Sequence, residues 1–302
     1  MLKNDAAKLS YKKHELYFED YTKGGKEEKM ARTWLNTNTV DSWRHIRMYN
    51  SIDPLLLCYP NATWLTVGDG RYGKDAHYIQ QKGLSVLATD ISDALLKEAK
   101  EIGYITDYRK ENAESLSFSD KEFDFVLCKE AYHHFPRPML ALYEILRVSK
   151  KGVVLIGLND PFILSTFYQF LFMNLKNFVK FLLRKKIVRH SFEEVGNYVY
   201  TISKREIEKV ALGLNIRVIA FKELNDYYLK GVEYEKADDN SRLFKKIKRR
   251  IALQNFLSKI GLNPYGRLIA IIFKGIPDEK CERMLSKNRY EVIHLPKNPF
   301  ID

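Results

Sequence analysis

The sequence contains few cysteines, and their placement argues against two kinds of site. Cys58, Cys128 and Cys281 are the three cysteines of a 302-residue chain, and they are far apart in the sequence. An odd, widely spaced set does not suit a disulfide framework, and it lacks the close pairs that thiolate metal sites need. This usage is typical of a reducing compartment, so we expect a cytoplasmic protein.

Long apolar stretches are missing as well. The first residues, MLKND, do not begin the apolar core of a signal peptide. The longest uncharged run in the most apolar part of the chain, 161–175, has 15 residues, whereas a helix that spans a bilayer needs about 20. We therefore expect neither export nor a transmembrane helix, although 45% apolar residues are ample for a core.

Acidic residues are absent from two stretches of a chain whose formal net charge is +12. Residues 161–190 contain six basic residues and residues 241–260 contain seven, with no acidic residue in either stretch. The middle of the chain, 61–160, is slightly acidic, with 13 basic and 15 acidic residues. The positive charge thus belongs to two segments and not to the chain as a whole.

The middle of the chain alternates short apolar stretches with amphipathic ones, which predicts an α/β fold with a mainly parallel sheet. The predicted strands are 63–70, 84–90, 123–129, 152–157, 215–223 and 267–273. The predicted helices between them are 74–82, 93–103, 139–148 and 203–213. Ser203 and Glu206 at the start of the last helix have the spacing of a capping box.

A glycine-rich turn follows the first strand. Gly68, Gly70 and Gly73 give the pattern GxGxxG between a strand and a helix, where the backbone must turn sharply and approach a ligand closely. Asp90 ends the second strand, 22 residues after Gly68. A carboxylate at that place can accept hydrogen bonds from both hydroxyls of a ribose. The two features together predict a nucleoside-containing cofactor.

The same segment resembles the class I S-adenosylmethionine-dependent methyltransferases, over about residues 64–157. TWLTVGDGRYG is similar to that family's first motif, ATDIS to its ribose-binding motif, and FDFVLCKEAYHHF to its fourth-strand motif. The resemblance implies a Rossmann-like, seven-stranded, mainly parallel sheet with an antiparallel last strand, and S-adenosyl-L-methionine as the cofactor. The cofactor-binding residues that it implies are Gly68, Asp69, Gly70, Asp90, Ile91, Asn112, Ala113, Glu114 and Lys129. Thr66 departs from the family, which often has an acidic residue at this position, and Asp69 is a candidate to replace it.

Candidate catalytic residues follow the fourth strand at the end that faces the cofactor. They are Glu130, His133 and His134, and a histidine is suited to accept a proton near neutral pH. A packing role for one histidine of the pair is the alternative. No metal is expected, because the sequence places no further histidine or carboxylate beside the pair.

The remaining segments suggest what surrounds this domain. We expect an N-terminal helical lid at 1–60, the methyltransferase domain at 61–275 with helical insertions at about 161–190 and 235–262, and a C-terminal arm at 276–302. Both insertions follow strands whose ends meet at the edge of the sheet where ligands bind in such folds. The expected acceptor is a small molecule, anionic or linked to a lipid-borne glycan, with the basic insertions either solvated or in peripheral contact with the inner face of a membrane.

Three other functions remain open at this point. A nicotinamide-dependent oxidoreductase would share the glycines and the ribose acid. An RNA-modifying methyltransferase would gain affinity from the basic segments, although the sequence contains no recognisable RNA-binding module and nucleic acid is not expected. An inactive cofactor-binding scaffold is the third, because of Thr66. No sequence pattern specifies an oligomeric state.

Overall fold

The structure is a computed structural model that describes residues 5–164, 166–186 and 190–300. Its helices are α1 (Asp5–Asp20), α2 (Gly25–Thr33), α3 (Val40–Cys58), α4 (Lys74–Gln80), α5 (Ala94–Glu101), α6 (Pro138–Val148), α7 (Phe167–Leu182), α8 (Lys204–Gly213), α9 (Arg242–Lys259) and α10 (Glu279–Lys287). Its strands are β1 (Thr63–Val67), β2 (Ser85–Asp90), β3 (Tyr108–Lys110), β4 (Phe123–Lys129), β5 (Ser149–Leu158), β6 (Val218–Leu224), β7 (Arg267–Phe273) and β8 (Glu291–His294). A short 3₁₀ helix, Tyr132–His134, follows β4.

The strands form one sheet in the order β3-β2-β1-β4-β5-β7-β6-β8. Strands β1 to β5 pair in parallel, and β7 runs antiparallel to both β5 and β6. The predicted fold class, a mainly parallel sheet with an antiparallel seventh strand, is confirmed. The carboxyl ends of β1, β2 and β4 therefore meet at one edge.

Two edge strands were not located from the sequence. β3 has three residues, and β8 pairs antiparallel with β6 in the segment that was expected to be a trailing arm. An edge strand bonds to one neighbour only and carries little apolar pattern, so sequence periodicity does not reveal it. The sheet therefore has eight strands and not seven. Tyr290, just before β8, donates from its hydroxyl to the carbonyl of Ser51 at 2.8 Å, which ties this segment to α3.

Helices cover both faces of the sheet. One face packs against α3, α4, α5 and α10, and the other against α6 and α8. On the first face the rings of Trp64 and Phe125 are fully buried and stacked, with centroids 4.9 Å apart. Residues Val153 to Ile156 of β5 are fully buried, as expected for a central strand with helices on both sides. The predicted capping box of α8 is present.

The N-terminal segment is helical, as predicted, and it is joined to the domain in two ways. Met48, Ile52 and Leu55 of α3 are buried in the core beneath the sheet. Val40 at the start of α3 packs with Phe244 and other residues of α9 in a smaller core. The predicted division into lid, domain and arm stays a prediction.

Candidate functional site

A cavity of about 500 Å³ opens at the carboxyl ends of β1, β2 and β4. Its volume is in the range of sites that hold small molecules and cofactors. The turn after β1, the end of β2, the segment after β4, and the helices α1 and α3 all contribute to its wall. The sequence placed the first three at this edge, and the structure adds the two helices.

Two glycines allow the wall to pack closely. Gly68 has φ +80°, and a β-carbon there would lie 2.2 Å from the β-carbon of Ala131. A β-carbon on Gly70 would lie 2.9 Å from Oδ2 of Asp90. A side chain at either position would displace its neighbour, which is the physical reason for glycine in this turn.

Asp90 is a buried carboxylate that faces the cavity. Its Oδ1 accepts a hydrogen bond from the backbone N–H of Ser92 at 3.0 Å. Among the residues that the structure describes, no lysine, arginine or histidine lies within ion-pair distance of it. Burial accordingly raises the pKa of Asp90 to about 6. The neighbouring Ile91 also lines the cavity, and a buried carboxylate without a cation partner at this point is available to ligand hydroxyls.

Asp69 lines the cavity but uses its carboxylate within the protein. It accepts hydrogen bonds from the backbone N–H groups of Asp75 (3.0 Å) and Ala76 (2.9 Å), and from the hydroxyl of Thr66 at 2.9 Å. Burial, together with the charge of Asp75, raises its pKa well above the usual value. Asp69 therefore fixes the turn to the first turn of α4, and its role toward the cofactor stays a prediction.

The predicted cofactor-binding residues after β3 form a loop in which two polar residues flank Ala113, which lines the cavity. Oδ1 of Asn112 accepts from the backbone N–H of Glu114 at 2.9 Å. The side chain of Glu114 is 1% exposed and accepts from the backbone N–H and the Nε of Arg137, at 2.7 and 2.6 Å. Asn112 and Glu114 thus hold the loop, while Ala113 faces the cavity.

A buried group of polar residues surrounds Lys129. Its Nζ lies 3.0 Å from Oδ1 of Asp75 and 4.6 Å from the ring centroid of Tyr49, whose hydroxyl donates to the same carboxylate at 2.6 Å. Lys74 lines the cavity nearby and has no carboxylate within ion-pair distance among the described residues. Burial, together with the charges of Lys129 and Arg71 and against the opposing charge of Asp41, lowers the pKa of Lys74 to about 8. Sequence reasoning missed Lys74, Tyr49 and Asp75 because their roles depend on contacts between distant helices.

Glu130 follows β4 in an unusual backbone conformation, with φ +53°. Its carboxylate accepts a hydrogen bond from Nε of Arg267 at 3.0 Å. Arg267 begins β7, and its Nη2 also lies 3.8 Å from Oδ2 of Asp226. Both Glu130 and Arg267 line the cavity, so the structure brings Glu130 to the site but pairs it with a cation.

The two predicted histidines have different surroundings. Nδ1 of His134 lies 2.6 Å from Oε2 of Glu193. Nδ1 of His133 is buried and has no hydrogen-bond partner among the described residues. The rings are 3.9 Å apart, and both line the cavity. Burial and the proximity of His134 lower the pKa of His133 well below its usual value, so this ring is neutral.

The N-terminal segment completes the cavity. Tyr11, His14 and Phe18 come from α1, and Asp41, Arg44, His45 and Tyr49 come from α3. Arg44 donates to Asp226 and Asp41, and both acids are almost fully buried. Neighbouring residues of α3 thus differ in role. Arg44 and His45 reach the cavity, whereas the ring of Trp43 packs against Phe244, with ring centroids 5.0 Å apart.

Comparison with known proteins finds methyltransferases. Residues 65–157 match a family model described as a methyltransferase domain. The chain is 33% identical over 100 residues to 2-methyl-6-phytyl-1,4-hydroquinone methyltransferase of Synechocystis sp.. These 100 residues are 32% of this chain and 31% of that protein. The chain thus matches about a third of that relative's length.

Solved structures of other proteins have a fold similar to that of this chain. A methyltransferase of Archaeoglobus fulgidus described as SAM-dependent matches with a TM-score of 0.48 and 15% identity, covering 76% of this chain and 94% of that one. A putative methyltransferase of Bacillus halodurans matches with a TM-score of 0.44 and 18% identity, covering 74% and 97%. At TM-scores below 0.5 these likenesses carry no argument about activity.

Proposed function

We propose that this protein is a class I S-adenosylmethionine-dependent methyltransferase, built on the methyltransferase-domain match at residues 65–157, and that it methylates a small, lipid-linked acceptor at a membrane surface. The observation that supports the proposed cofactor is Asp90, a buried carboxylate without a cation partner beneath the glycine turn. The observation that supports a lipid-linked acceptor is helix α7, whose apolar side chains are exposed.

The cavity fits the cofactor. Asp90 is an acceptor without a cation, Gly70 leaves room above it, and Ala113 offers a small apolar surface beside it. Lys74 and Arg71 supply positive charge for the carboxylate of the amino-acid moiety, at the end where Thr66 stands in place of an acid. When bound, S-adenosylmethionine supplies an electrophilic methyl group on a sulfonium. The protein's part is then to position the acceptor and to exclude water.

Of the candidate bases, we favour His133. Its buried, unpartnered Nδ1 lies in the cavity wall, whereas His134 is bonded to Glu193 and Glu130 to Arg267. A buried polar atom without a partner is unfavourable unless a ligand satisfies it. The role assigned to His133 is to accept the proton of an acceptor hydroxyl. We expect His133→Gln to bind S-adenosylhomocysteine normally and to turn over at least about 100-fold more slowly.

Helix α7 exposes large apolar side chains, an arrangement that is unfavourable in contact with water. Phe167 is 69% exposed, Phe181 74% and Leu182 63%, and further large apolar side chains of the helix are exposed. A helix that is apolar around most of its circumference is normally buried in protein or lipid. No helix in the described part of the chain is long and apolar enough to cross a membrane.

Basic residues beside this surface favour an anionic membrane as its partner. α7 and the residues after it contain Lys176, Lys180, Arg184, Lys185 and Lys186 without an acidic residue. α9 exposes six bases within 242–250, of which Lys248 pairs with Asp239. The hydroxyl of Thr166, at the start of α7, donates to the carbonyl of Gly261 after α9 at 2.8 Å, so the two insertions lie together. An apolar face rimmed by lysine and arginine is the composition of helices that lie in the headgroup region.

The two insertions lie next to the cavity. α7 follows β5 at the same edge of the sheet as the cavity, and the segments after α7 and before α9 contribute Glu193 and Tyr228 to its wall. An acceptor with an apolar chain could thus enter from the lipid. The hydroquinone named for the Synechocystis relative carries a phytyl chain, which is consistent with an acceptor of this class.

Two measurements test the proposal separately. Calorimetric titration with S-adenosylmethionine and S-adenosylhomocysteine should show micromolar binding that Asp90→Ala abolishes. Vesicle flotation should show binding to anionic but not to neutral vesicles, lost in Phe167→Ser/Phe181→Ser. Ile276→Ser is the matched control, because Ile276 is equally exposed, at 73%, but follows β7 at the opposite edge of the sheet.

Each outcome has a defined meaning. If the folded protein does not bind the cofactor, the methyltransferase proposal is wrong. If it binds cofactor but floats with no vesicle, the lipid-linked acceptor is wrong and soluble acceptors remain. If α9 binds RNA at physiological salt and no vesicles, the RNA-modifying alternative takes its place.

A further inference from the structure

Three side chains that commonly ligate metals converge at the cavity wall from distant parts of the chain. His14 lies on α1, His134 on the short helix after β4, and Glu193 on the segment after α7. One ligand atom of each lies within 4.8 Å of the others. All three line the cavity. No metal was expected from the sequence, because 120 residues separate His14 from His134.

Each of these groups is already oriented by a hydrogen bond. His134 Nδ1 lies 2.6 Å from Glu193, and His14 Nε2 lies 3.0 Å from Oδ1 of Asn197. The amide nitrogen of Asn197 donates to the carbonyl of His133 at 3.3 Å, which turns its oxygen toward His14. The three side chains therefore present two imidazole nitrogens and one carboxylate oxygen close together, with Oδ1 of Asn197 beside His14.

We propose that His14, His134 and Glu193 form a binding site for a divalent transition-metal ion of the zinc type. Two imidazoles and one carboxylate are a donor set that zinc favours, with bonds of about 2.0–2.2 Å. Tetrahedral geometry at that bond length places donors roughly 3.4 Å apart, so small side-chain rotations from the observed separations complete the site. Asn197 or a water molecule supplies the fourth ligand of the ion.

The ion has a structural consequence for the cavity. α1 contributes Tyr11 and Phe18 to the wall in addition to His14. An ion shared by α1, the 3₁₀ helix and the segment after α7 ties the N-terminal helix across the opening. The site thus clamps the N-terminal segment over bound ligand, in addition to the packing of Phe18 of α1 against the main core.

Metal binding is measured directly, without cofactor or turnover. The purified full-length protein, freed of metal with a chelator, is titrated with Zn²⁺ against a chromogenic competitor, and with Co²⁺ as a spectroscopic probe. We expect one equivalent to bind with submicromolar affinity, with the visible absorption of a four-coordinate cobalt site. Glu193→Gln and His14→Gln should weaken binding at least about tenfold, whereas His190→Gln should not. His190 is an exposed histidine on the same segment after α7 as Glu193, outside the cluster.

Limited proteolysis tests the clamp. Zn²⁺ should slow tryptic cleavage at Lys12, Lys13 and Lys23 in the wild type and leave the rate unchanged in Glu193→Gln, which is nearly isosteric and part-exposed. Failure of the wild type to bind Zn²⁺ more tightly than micromolar overturns the site, and so does equal binding by Glu193→Gln and the wild type. Cofactor titration of the same samples shows independently whether the proposed methyltransferase function holds.

Discussion

Oδ2 of Asp90 lies 2.9 Å from the point where a β-carbon on Gly70 would stand. The glycine and the carboxylate therefore form one unit: the missing side chain leaves the space in which the buried acid is positioned. The backbone of Gly70 does not have a positive φ, so an alanine there would be disfavoured by contact with Asp90 and not by backbone strain.

This contact predicts the effect of Gly70→Ala. The added methyl group should push the Asp90 carboxylate from its place and weaken binding of S-adenosylhomocysteine by at least about tenfold, the equivalent of one charged hydrogen bond. Calorimetry measures the affinity. Gly213→Ala is the control, because a β-carbon at Gly213 meets no atom within 4 Å and its φ is not positive. Equal affinities of the two variants would contradict the assigned position of the ribose.

The raised pKa of Asp90 predicts a pH dependence of cofactor binding. The carboxylate must be ionised to accept from both hydroxyls, and it becomes protonated as the pH falls through about 6. Affinity for S-adenosylhomocysteine should be highest near pH 7 and should fall toward about tenfold per pH unit below pH 6. Asp90→Asn should bind weakly and show no such slope. A wild-type affinity that stays constant to pH 5 would show that this carboxylate does not hold the cofactor.

The unpaired Lys74 predicts which part of the cofactor it binds. With a pKa lowered to about 8, Lys74 is charged below that pH and attracts the carboxylate of the amino-acid moiety. Lys74→Gln should weaken S-adenosylhomocysteine about tenfold but leave 5′-methylthioadenosine, which lacks that moiety, unaffected. The wild-type preference for S-adenosylhomocysteine should decline as the pH rises through 8. Lys82→Gln, an exposed lysine just after α4 that pairs with Asp53, is the control.

The cofactor half of the site could be predicted from local sequence. Gly68, Gly70 and Asp90 each end or follow a strand, and parallel strands bring their carboxyl ends together. Thr66 and Asp69 were recognised as a departure, and the structure shows them bonded to each other at 2.9 Å. A turn between neighbouring elements is determined by adjacent residues, so its residues can be read from the chain.

The other wall of the cavity could not be predicted in this way. His14 meets His134, and Arg44 meets Asp226, across more than 100 residues of sequence. Such pairs depend on how α1 and α3 pack on the sheet, which apolar periodicity predicts only as burial and not as a specific contact. The apolar residues of α9 illustrate the same limit, since Ile247 is buried against α3 whereas Phe256 is 58% exposed.

The buried ion pair between Arg44 and Asp226 predicts a large effect on stability. The side chains are 6% and 1% exposed, with Arg44 Nε donating to Oδ1 of Asp226 at 3.0 Å. Asp226→Asn removes the charge opposite a buried guanidinium and should lower the free energy of unfolding by about 3–5 kcal/mol. Asp239→Asn is the matched control, because its ion pair with Lys248 is exposed and should change stability by less than about 1 kcal/mol.

Urea denaturation followed by circular dichroism compares the two variants with the wild type. The expected result is a much lower midpoint for Asp226→Asn and an unchanged midpoint for Asp239→Asn. Because Arg44 lines the cavity and also contacts Asp41 at 3.1 Å, the first substitution should also weaken ligand binding. Equal midpoints for the two variants would mean that Asp41 alone compensates the charge of Arg44, and that the contact between α3 and the segment after β6 contributes little to the fold.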